Sequence, residues 1–302
     1  MLDICLLGTG GTVPIPDRWL TSLLVRYKGS SLLVDCGEGT QIALNKAGFS
    51  CRHIDTILLT HFHADHTAGL PGLLLSMAKA DRTEPVRILG PKGLPEILDG
   101  VQKIARYIPF ELHAYEYRER EVSFSLDELK ITAFHLDHRV PCYGYEFTLP
   151  RQPKFDVEKA KNNNVPVKCW SILQKGNTAE YEGVTYTPDM VLGESRRGLK
   201  MLYATDTRPT AGITEHAADA DLCILEGMYG DPEKLEKALQ NKHMMMQEAA
   251  EIAKKAECRE LWFTHYSTSM PHPEIWEEDI RKIFPNTVIS SDGQKKTMKF
   301  ED

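Results

Sequence analysis

The sequence predicts an α/β fold in which two mixed β-sheets pack face to face with helices on their outer sides. Two observations lead to this prediction: strand-like apolar runs alternate with helical segments in the first half, and strand-helix units recur in the second half. The chain has 302 residues, 42% of them hydrophobic, and no low-complexity linker. We therefore expect a single domain over residues 1–302, interrupted by a polar, less compact stretch at about 150–197.

The first half is predicted to contain nine strands and three helices. The first strand ends in the glycine-rich turn 8–12, which allows positive φ, and the next two strands form a hairpin around residues 28–30. The predicted strands are residues 2–8, 21–27, 31–35, 55–60, 86–89, 111–117, 121–124, 129–136 and 144–149. The predicted helices are residues 39–47, 68–79 and 94–107, the last of which is amphipathic.

The second half is predicted to begin with a polar helix and continue as strand-helix units. The predicted helices are residues 156–163, 213–220, 232–241, 246–256 and 273–283. The predicted strands are residues 200–204, 222–226, 260–264, 287–290 and 297–300. This order favours a sheet covered by helices on one face.

Composition limits the function and the compartment. The net charge of −7 excludes a globally basic nucleic-acid binder, so an RNA substrate would need a local basic patch or bound metal. The first residues lack a basic segment and a cleavage site, and no apolar run is long enough to span a bilayer. The seven scattered cysteines form no CxxC pair, which is typical of thiols in a reducing compartment. We expect a cytoplasmic protein that does not associate with membranes.

The segment from residue 61 to residue 66 is the strongest chemical signal in the chain. It reads His-Phe-His-Ala-Asp-His and directly follows a predicted buried strand. A loop at a strand end can direct several side chains toward one point. Three imidazoles and a carboxylate exceed what one divalent ion needs, so the pattern predicts a two-metal hydrolytic site at His61, His63, Asp65 and His66.

Four further metal-capable residues stand where a predicted strand ends at a loop, a position at which sheet proteins commonly collect functional side chains. They are Asp35, His138, Asp206 and His265. His135 competes with His138 for the same role, and we expect it to point away from the site and pack. Each residue alone is a weak signal, but together with the histidine segment they predict one constellation.

These motifs resemble the metallo-β-lactamase superfamily and, within it, the ribonuclease Z branch. The HxHxDH run is specific only to the superfamily. The branch is indicated by residues 35–41, Asp-Cys-Gly-Glu-Gly-Thr-Gln, and by residues 206–209, Asp-Thr-Arg-Pro. Residues 7–14, 138–145 and 292–293 also fit, so the likeness covers nearly the whole chain.

The resemblance implies an αββα four-layer sandwich with two zinc ions per chain, although manganese or iron could substitute. One ion would be bound by His61, His63 and His138 and the other by Asp65, His66 and His265. Asp206 would bridge the two, Asp65 would also be catalytic, and Asp35 would orient a ligand histidine. A water between two cations loses its proton near neutral pH and becomes the nucleophile.

The resemblance also implies a proton donor, His243, oriented by the acidic residue Glu226. Cleavage of a phosphodiester leaves an alkoxide that needs a proton, and a carboxylate beside an imidazole raises its pKa and fixes its tautomer. The alternative reading is a histidine near a helix start and a surface charge at a strand end.

Residues 150–197 correspond to an arm that grips tRNA in this branch, often from the partner subunit of a homodimer. Lys159, Lys161 and Lys168 are candidates for phosphate contacts and Trp170 for base stacking, with a solvated surface as the alternative. The arm tip departs from the branch, which usually has a Gly-Pro pair where this chain has residues 165–171. Further departures from the branch are Trp19, Met244–Met246 and Ser269-Met270. All of these departures concern positions expected to recognise the substrate, and none is a metal position.

The leading hypothesis is a dizinc phosphodiesterase that removes the 3′ trailer from precursor tRNA. The main alternative is a related metal-dependent phosphodiesterase acting on small or cyclic phosphodiesters, which the altered arm tip favours. Hydrolysis of another bond, such as a thioester, lactam or sulfate ester, and a non-catalytic RNA-binding module that keeps zinc for folding are further alternatives.

Overall fold

The structure is a computed structural model that describes residues 1–301. Strands and helices are numbered in chain order. The strands are β1 (Leu2–Gly8), β2 (Ser22–Tyr27), β3 (Ser30–Val34), β4 (Ile54–Leu58), β5 (Val86–Gly90), β6 (Leu112–Glu116), β7 (Glu121–Leu126), β8 (Leu129–His135), β9 (Tyr143–Arg151), β10 (Ala179–Tyr181), β11 (Val184–Tyr186), β12 (Arg196–Ala204), β13 (Leu222–Glu226), β14 (Leu261–Thr264), β15 (Thr287–Ile289) and β16 (Gln294–Met298). The helices are α1 (Thr40–Lys46), α2 (Ala64–Thr67), α3 (Leu70–Lys79), α4 (Leu94–Ile104), α5 (Val157–Asn162), α6 (Val167–Gln174), α7 (Ala211–Ala217), α8 (Leu235–Asn241), α9 (Met246–Lys255) and α10 (Glu277–Ile283).

Two seven-stranded mixed sheets form the centre of the fold. The first has the order β16-β1-β2-β3-β4-β5-β6 and the second β15-β14-β13-β12-β9-β8-β7. In each sheet part of the ladder is antiparallel and part is parallel, as in β2-β3 against β3-β4. The Tyr145 hydroxyl on β9 donates to the Leu59 carbonyl at the end of β4 over 2.7 Å, which ties one sheet to the other.

Helices cover the outer face of each sheet. Leu33 and Ile57 of the first sheet share a buried cluster with Leu73 of α3. Leu225 and Phe263 of the second sheet are buried in another cluster, together with the alanines and Met246 of α9. Amphipathic helices are stabilised chiefly by this burial. The predicted arrangement of two mixed sheets between helical layers is confirmed.

The chain divides into two compact units. One comprises residues 1–148 and 200–299, and the other comprises residues 149–199 with residues 300 and 301. The second unit has its own buried cluster, which includes Ala160, Leu173 and Val191. Where the sequence predicted one polar helix, this unit contains α5, α6 and the hairpin β10-β11. The short lengths of α6 and the two strands explain why periodicity did not reveal them.

The helix predicted over residues 68–79 is observed as α3, which begins two residues later than predicted. A single turn, α2, precedes α3, and Gly69 separates them. A Cβ atom at Gly69 would clash with the Gly37 carbonyl oxygen, so this close approach requires glycine. The extra turn places Asp65 and His66 in the site described below. In the described part of the chain, no helix is long and apolar enough to cross a membrane.

Candidate dinuclear metal centre

The histidine segment lies at the carboxyl end of β4, where the strand ends two residues earlier than predicted. Leu59 still bonds to β5 through its N–H, so the chain remains in line with the sheet as it leaves the strand. His61 and His66 are buried, whereas His63 is partly exposed. The turn of α2 is closed by a bond from His66 N–H to the His63 carbonyl. This folding directs the four polar side chains toward one region.

A first group of donor atoms comes from His61, His63, His138 and Asp206. His61 Nε2 lies 2.9 Å from His63 Nδ1, and His138 Nε2 lies 3.4 Å from the same Nδ1 atom. Asp206 Oδ1 lies 3.9 Å from His61 Nε2 and 3.8 Å from His138 Nε2. These ligand atoms all lie within 4.8 Å of one another, so a single cation could contact them together.

A second group lies on the other side of Asp206 and comprises Asp65, His66 and His265. The Nε2 atoms of His66 and His265 are 3.2 Å apart. Asp65 Oδ2 lies 3.7 Å from His66 Nε2 and 3.4 Å from His265 Nε2. Asp206 Oδ2 lies 3.1 Å from each of these two imidazole nitrogens.

Asp206 therefore directs one carboxylate oxygen toward each donor group. The residue is 2% exposed, and its Oδ2 atom makes no well-aligned hydrogen bond, although two imidazole nitrogens lie 3.1 Å away. Burial would raise the pKa of this carboxyl, but the imidazoles of His265, His66 and His61 hold it well below its usual range. A buried, ionised oxygen without a donor is unfavourable unless a cation compensates it.

The protonation states of the first group also suit metal binding. Burial lowers the pKa of His61 well below its usual value and lowers the pKa values of His63 and His138. Neutral imidazole has a free lone pair, which metal coordination requires. Nitrogen donors with a bridging carboxylate oxygen fit two zinc-like cations, so the residues present fit the implied metals.

Three site residues adopt left-handed backbone conformations within two residues of a strand end. The φ angles are 59° at Asp35, 57° at Asp206 and 57° at His265. Non-glycine residues rarely adopt this region, and such strain concentrates at functional sites. The sharp turns change the chain direction where these side chains enter the centre. Strand periodicity predicted the strand ends but contained no signal for this conformation.

Asp35 is fully buried and contacts His66. Its Oδ2 atom lies 2.8 Å from His66 Nδ1, and its Oδ1 atom accepts from the Thr60 N–H over 2.8 Å. Burial raises the pKa of Asp35. Burial would lower the pKa of His66, but the carboxylates of Asp206 and Asp35 raise it well above its usual range. The contact fixes the orientation of the His66 ring, as expected for a carboxylate behind a ligand histidine.

Thr60 and the turn after β1 were not predicted as site residues. The Thr60 hydroxyl lies 2.9 Å from Asp35 Oδ2 and 3.0 Å from His61 Nδ1. The Thr12 N–H donates to Asp65 Oδ2 over 2.7 Å. The position of Thr60 directly before the histidine run could have indicated its role. The Thr12 contact could not be predicted in this way, because every residue except proline has a backbone N–H.

His243 lies beside both donor groups and contacts Glu226. His243 Nδ1 lies 2.9 Å from Glu226 Oε2 and 3.8 Å from Asp206 Oδ1. Glu226 is completely buried, and its Oε1 atom accepts from the Thr207 N–H over 2.7 Å. Burial would lower the pKa of His243, but Glu226 and Asp206 raise it to about 9. An imidazole that contacts a buried carboxylate in this way is suited to hold and donate a proton.

The competing histidine, His135, belongs to neither donor group. It is exposed at the end of β8, and its ring lies edge-on to Tyr143 with centroids 5.7 Å apart. His135 therefore points away from the site and packs against Tyr143, as predicted, although its side chain remains exposed to solvent. His138, three residues later on the loop, is the residue that reaches the centre.

The four arm residues lie in the second compact unit. Lys159 Nζ bonds to the Leu192 carbonyl, and Lys161 pairs with a neighbouring glutamate over 3.1 Å. Lys168 Nζ lies 5.1 Å from the centroid of the Tyr181 ring. Trp170 is partly buried against Phe155, and its indole N–H donates to the Val165 carbonyl over 3.0 Å.

Comparisons with known proteins agree with this architecture. The family described as anti-Pycsar protein Apyc1 matches residues 2–101. The chain is 48% identical over 302 residues to the ribonuclease Z of Agathobacter rectalis, and the match covers 100% of both chains. Human tRNase Z, short form, has a similar fold, with a TM-score of 0.70 at 23% identity over 99% of this chain and 100% of that one.

The metallo-β-lactamase fold protein YhfI from Bacillus subtilis also has a TM-score of 0.70, at 18% identity over 98% of each chain. The fold likeness confirms the metallo-β-lactamase αββα sandwich that the sequence predicted. An identity of 48% over the full length of a curated relative indicates membership of the same family and not only a shared fold. The chain belongs to the ribonuclease Z family.

Proposed function

We propose that this chain is a dinuclear metal-dependent endoribonuclease that removes the 3′ trailer from precursor tRNA. The observation that carries this proposal is the placement of Asp206, whose two oxygens face separate groups of imidazole and carboxylate donors. The relatives named ribonuclease Z, which match this chain from end to end, support the substrate.

Two Zn²⁺ ions per chain are the proposed metals, and Mn²⁺ or Fe²⁺ are possible substitutes. The preference rests on five imidazole donors, which suit zinc better than magnesium or calcium. When bound, such a pair of cations makes water nucleophilic at neutral pH and neutralises charge on a phosphate. The proposed ligands are His61, His63, Asp65, His66, His138, Asp206 and His265.

His243 is the proposed proton donor to the leaving oxygen, and Glu226 is the residue that orients it. The contact of 2.9 Å between Nδ1 and the carboxylate leaves His243 Nε2 as the nitrogen that faces the substrate. The Glu226 carboxylate favours the protonated form of the imidazole, as the role of proton donor requires. Asp35 is the proposed support for His66.

The arm is the proposed contact for the body of the RNA. Lys161 and Lys168 have exposed side chains and are the most available cations of the proposed set. Lys159 is engaged with a backbone carbonyl, and Trp170 offers only a partly buried ring. We propose that the lysines bind phosphates and that Trp170 supports the local surface or stacks with a base.

A homodimer and a cytoplasmic location complete the proposal. The homodimer follows from the family resemblance, in which the arm of one subunit serves the other. The cytoplasmic location is supported by the free thiols of all seven cysteines within the described residues.

The test is cleavage of a precursor tRNA by purified, zinc-loaded protein, with bis(p-nitrophenyl) phosphate as a second substrate. We expect a cut after the discriminator base that leaves a 3′-hydroxyl on the tRNA and is lost after chelation of metal. Cleavage of the small ester without cleavage of the precursor would instead support the second candidate.

That second candidate is hydrolysis of small or cyclic phosphodiesters by the same centre. The observation that favours it is the arm tip at residues 165–171, where the Gly-Pro pair typical of the branch is replaced and α6 begins. A dinucleotide and a cyclic mononucleotide added to the same assay would identify this activity directly.

A further inference from the structure

Arg208 and Glu248 form an ion pair beside the loop that carries His243. Arg208 Nη1 lies 2.8 Å from Glu248 Oε2, and Nη2 bonds to Oε1, so the pair is bidentate. Nη1 also donates to the His243 carbonyl oxygen over 2.6 Å. Glu248 Oε2 accepts from the Met245 N–H over 2.9 Å. The pair therefore holds the backbone at His243 and at Met245.

The segment that carries Arg208 also contacts the other groups around the proton donor. Asp206 lies between the two donor groups, and the Thr207 N–H donates to Glu226 Oε1 over 2.7 Å. Glu226 in turn contacts the His243 ring. Three consecutive residues thus fix the bridging carboxylate, the orienting carboxylate and the main chain of His243. A displacement of Arg208 would shift the His243 backbone and, with it, the imidazole.

The chemistry of this pair suits a positioning role. The side chains of Arg208 and Glu248 are only 13% and 27% exposed, so the interaction is shielded from solvent. A guanidinium can bond to a carboxylate and a carbonyl at once in a fixed plane, whereas a lysine ammonium lacks that geometry. Both Nη atoms of Arg208 are engaged in this way.

We infer that Arg208, paired with Glu248, is a positioning residue that holds His243 where it protonates the leaving oxygen. This inference rests on the proposed role of His243. Reacting groups must be placed closely, and a displacement of about 1 Å lowers rates on the order of 100-fold. Arg208 acts through the His243 backbone in this account and makes no contact with the reacting atoms.

The first test compares leaving groups in the zinc-loaded Arg208→Met variant. An RNA 3′-oxygen leaves as a strongly basic alkoxide and needs the proton, whereas p-nitrophenolate leaves without one. We expect kcat on precursor tRNA to fall about 10- to 100-fold with KM unchanged, and kcat on bis(p-nitrophenyl) phosphate to change less than about 2-fold. Equal losses on both substrates would overturn the inference.

The second test repeats the substitution in a His243→Ala background. If Arg208 acts only through His243, the double variant should match His243→Ala on precursor tRNA, because residues acting through one group are not additive. A further loss of the full size seen in the single variant would assign Arg208 a separate role, such as binding phosphate, and would overturn the inference.

Arg106→Met is the matched control. Arg106 also donates to a backbone carbonyl, that of Lys103 over 3.0 Å, but it is exposed just after α4 and does not contact the loop that carries His243. We expect its kcat values to match those of the unmodified enzyme. Glu248→Gln, which keeps an acceptor for the Met245 N–H, should give a smaller loss of about 3- to 10-fold on precursor tRNA. It also serves as the variant to assay if Arg208→Met does not fold.

Zinc content and thermal unfolding are measured for each variant, and two ions per chain are expected throughout. Failure of the unmodified protein on precursor tRNA, with activity on a dinucleotide, would reject the tRNA substrate and leave this inference testable, because a dinucleotide also releases an alkoxide. Insensitivity of His243→Ala on every substrate would reject the proton donor and this inference together.

Discussion

The candidate metal centre and the proposed arm, residues 149–199, hold their polar side chains in different ways. In the centre, Asp35, His61, His66, Asp206 and His265 are each at most 2% exposed, and most have contacts shorter than 3.3 Å. In the arm, the proposed lysines lie on the surface and pair with neighbours on the same unit.

The residue pattern specifies the buried centre more strongly than the exposed arm. A buried centre needs defined residue types at defined strand ends, because an unsatisfied buried charge is strongly unfavourable. An exposed lysine is compatible with many sequences and with many roles. The residues proposed for the chemistry can therefore be recognised from sequence motifs, whereas those proposed for substrate recognition lie on a surface whose sequence is less constrained.

The largest expected effect comes from removing the carboxylate shared by both donor groups. Asp206→Ala should lower turnover on every phosphodiester by roughly 10⁴-fold or more, since both cations lose a ligand. Turnover is measured together with metal content, which should fall below two per chain. Asp99→Ala, at an exposed position on α4, is the control. Two retained ions and near-normal turnover would show that Asp206 is not shared.

Removing the proton donor should separate chemistry from metal binding within the centre. His243→Ala is expected to lower turnover on precursor tRNA by about 100- to 1,000-fold, because general acid catalysis contributes effects of this size. Metal content should stay at two per chain. Unchanged turnover would remove His243 from the mechanism.

Disturbing a contact behind a ligand should have a smaller effect. Asp35→Asn replaces the carboxylate that lies 2.8 Å from His66 Nδ1, and such changes lower metal affinity about 10- to 100-fold. A chelator competition measures this affinity. Thr60→Val keeps the backbone N–H bond to Asp35 and should lower affinity less. An Asp35→Asn variant with unaltered affinity would contradict the supporting role.

The smallest effects are expected in the arm. Lys161→Gln and Lys168→Gln should each raise KM for precursor tRNA several-fold. Each should also lower the slope of log affinity against log salt concentration by about one, the change expected for one lost phosphate contact. Hydrolysis of bis(p-nitrophenyl) phosphate should not change. Lys103→Gln, an exposed and ion-paired lysine on α4, is the control. Equal effects on both substrates would mean that these lysines support folding and do not bind RNA.

Much of the centre could be predicted from sequence, because its residues follow apolar strands that are recognisable from composition. The two mixed sheets and the positions of Asp206 and His265 at strand ends follow from that pattern. The positive φ angles, the Thr12 N–H bond to Asp65 and the contact of Arg208 with His243 could not be predicted. They depend on the backbone path or on pairs of residues distant in sequence.

The arm was less predictable for a related reason. Its helix α6 and hairpin β10-β11 are too short to show a clear period. The partial burial of Trp170 arises from contacts with Phe155 and Val165 that follow no local pattern. The arm range itself was expected from composition at about 150–197, close to the compact unit at 149–199.

The central claim is that two cations bind on either side of Asp206. Its most direct test is a crystal structure of zinc-loaded protein with anomalous scattering measured at the zinc edge. We expect two peaks about 3.5–4 Å apart, one contacting His138 and the other His265, with an oxygen of Asp206 on each. A single peak, or two peaks that leave Asp206 uncontacted, would contradict it.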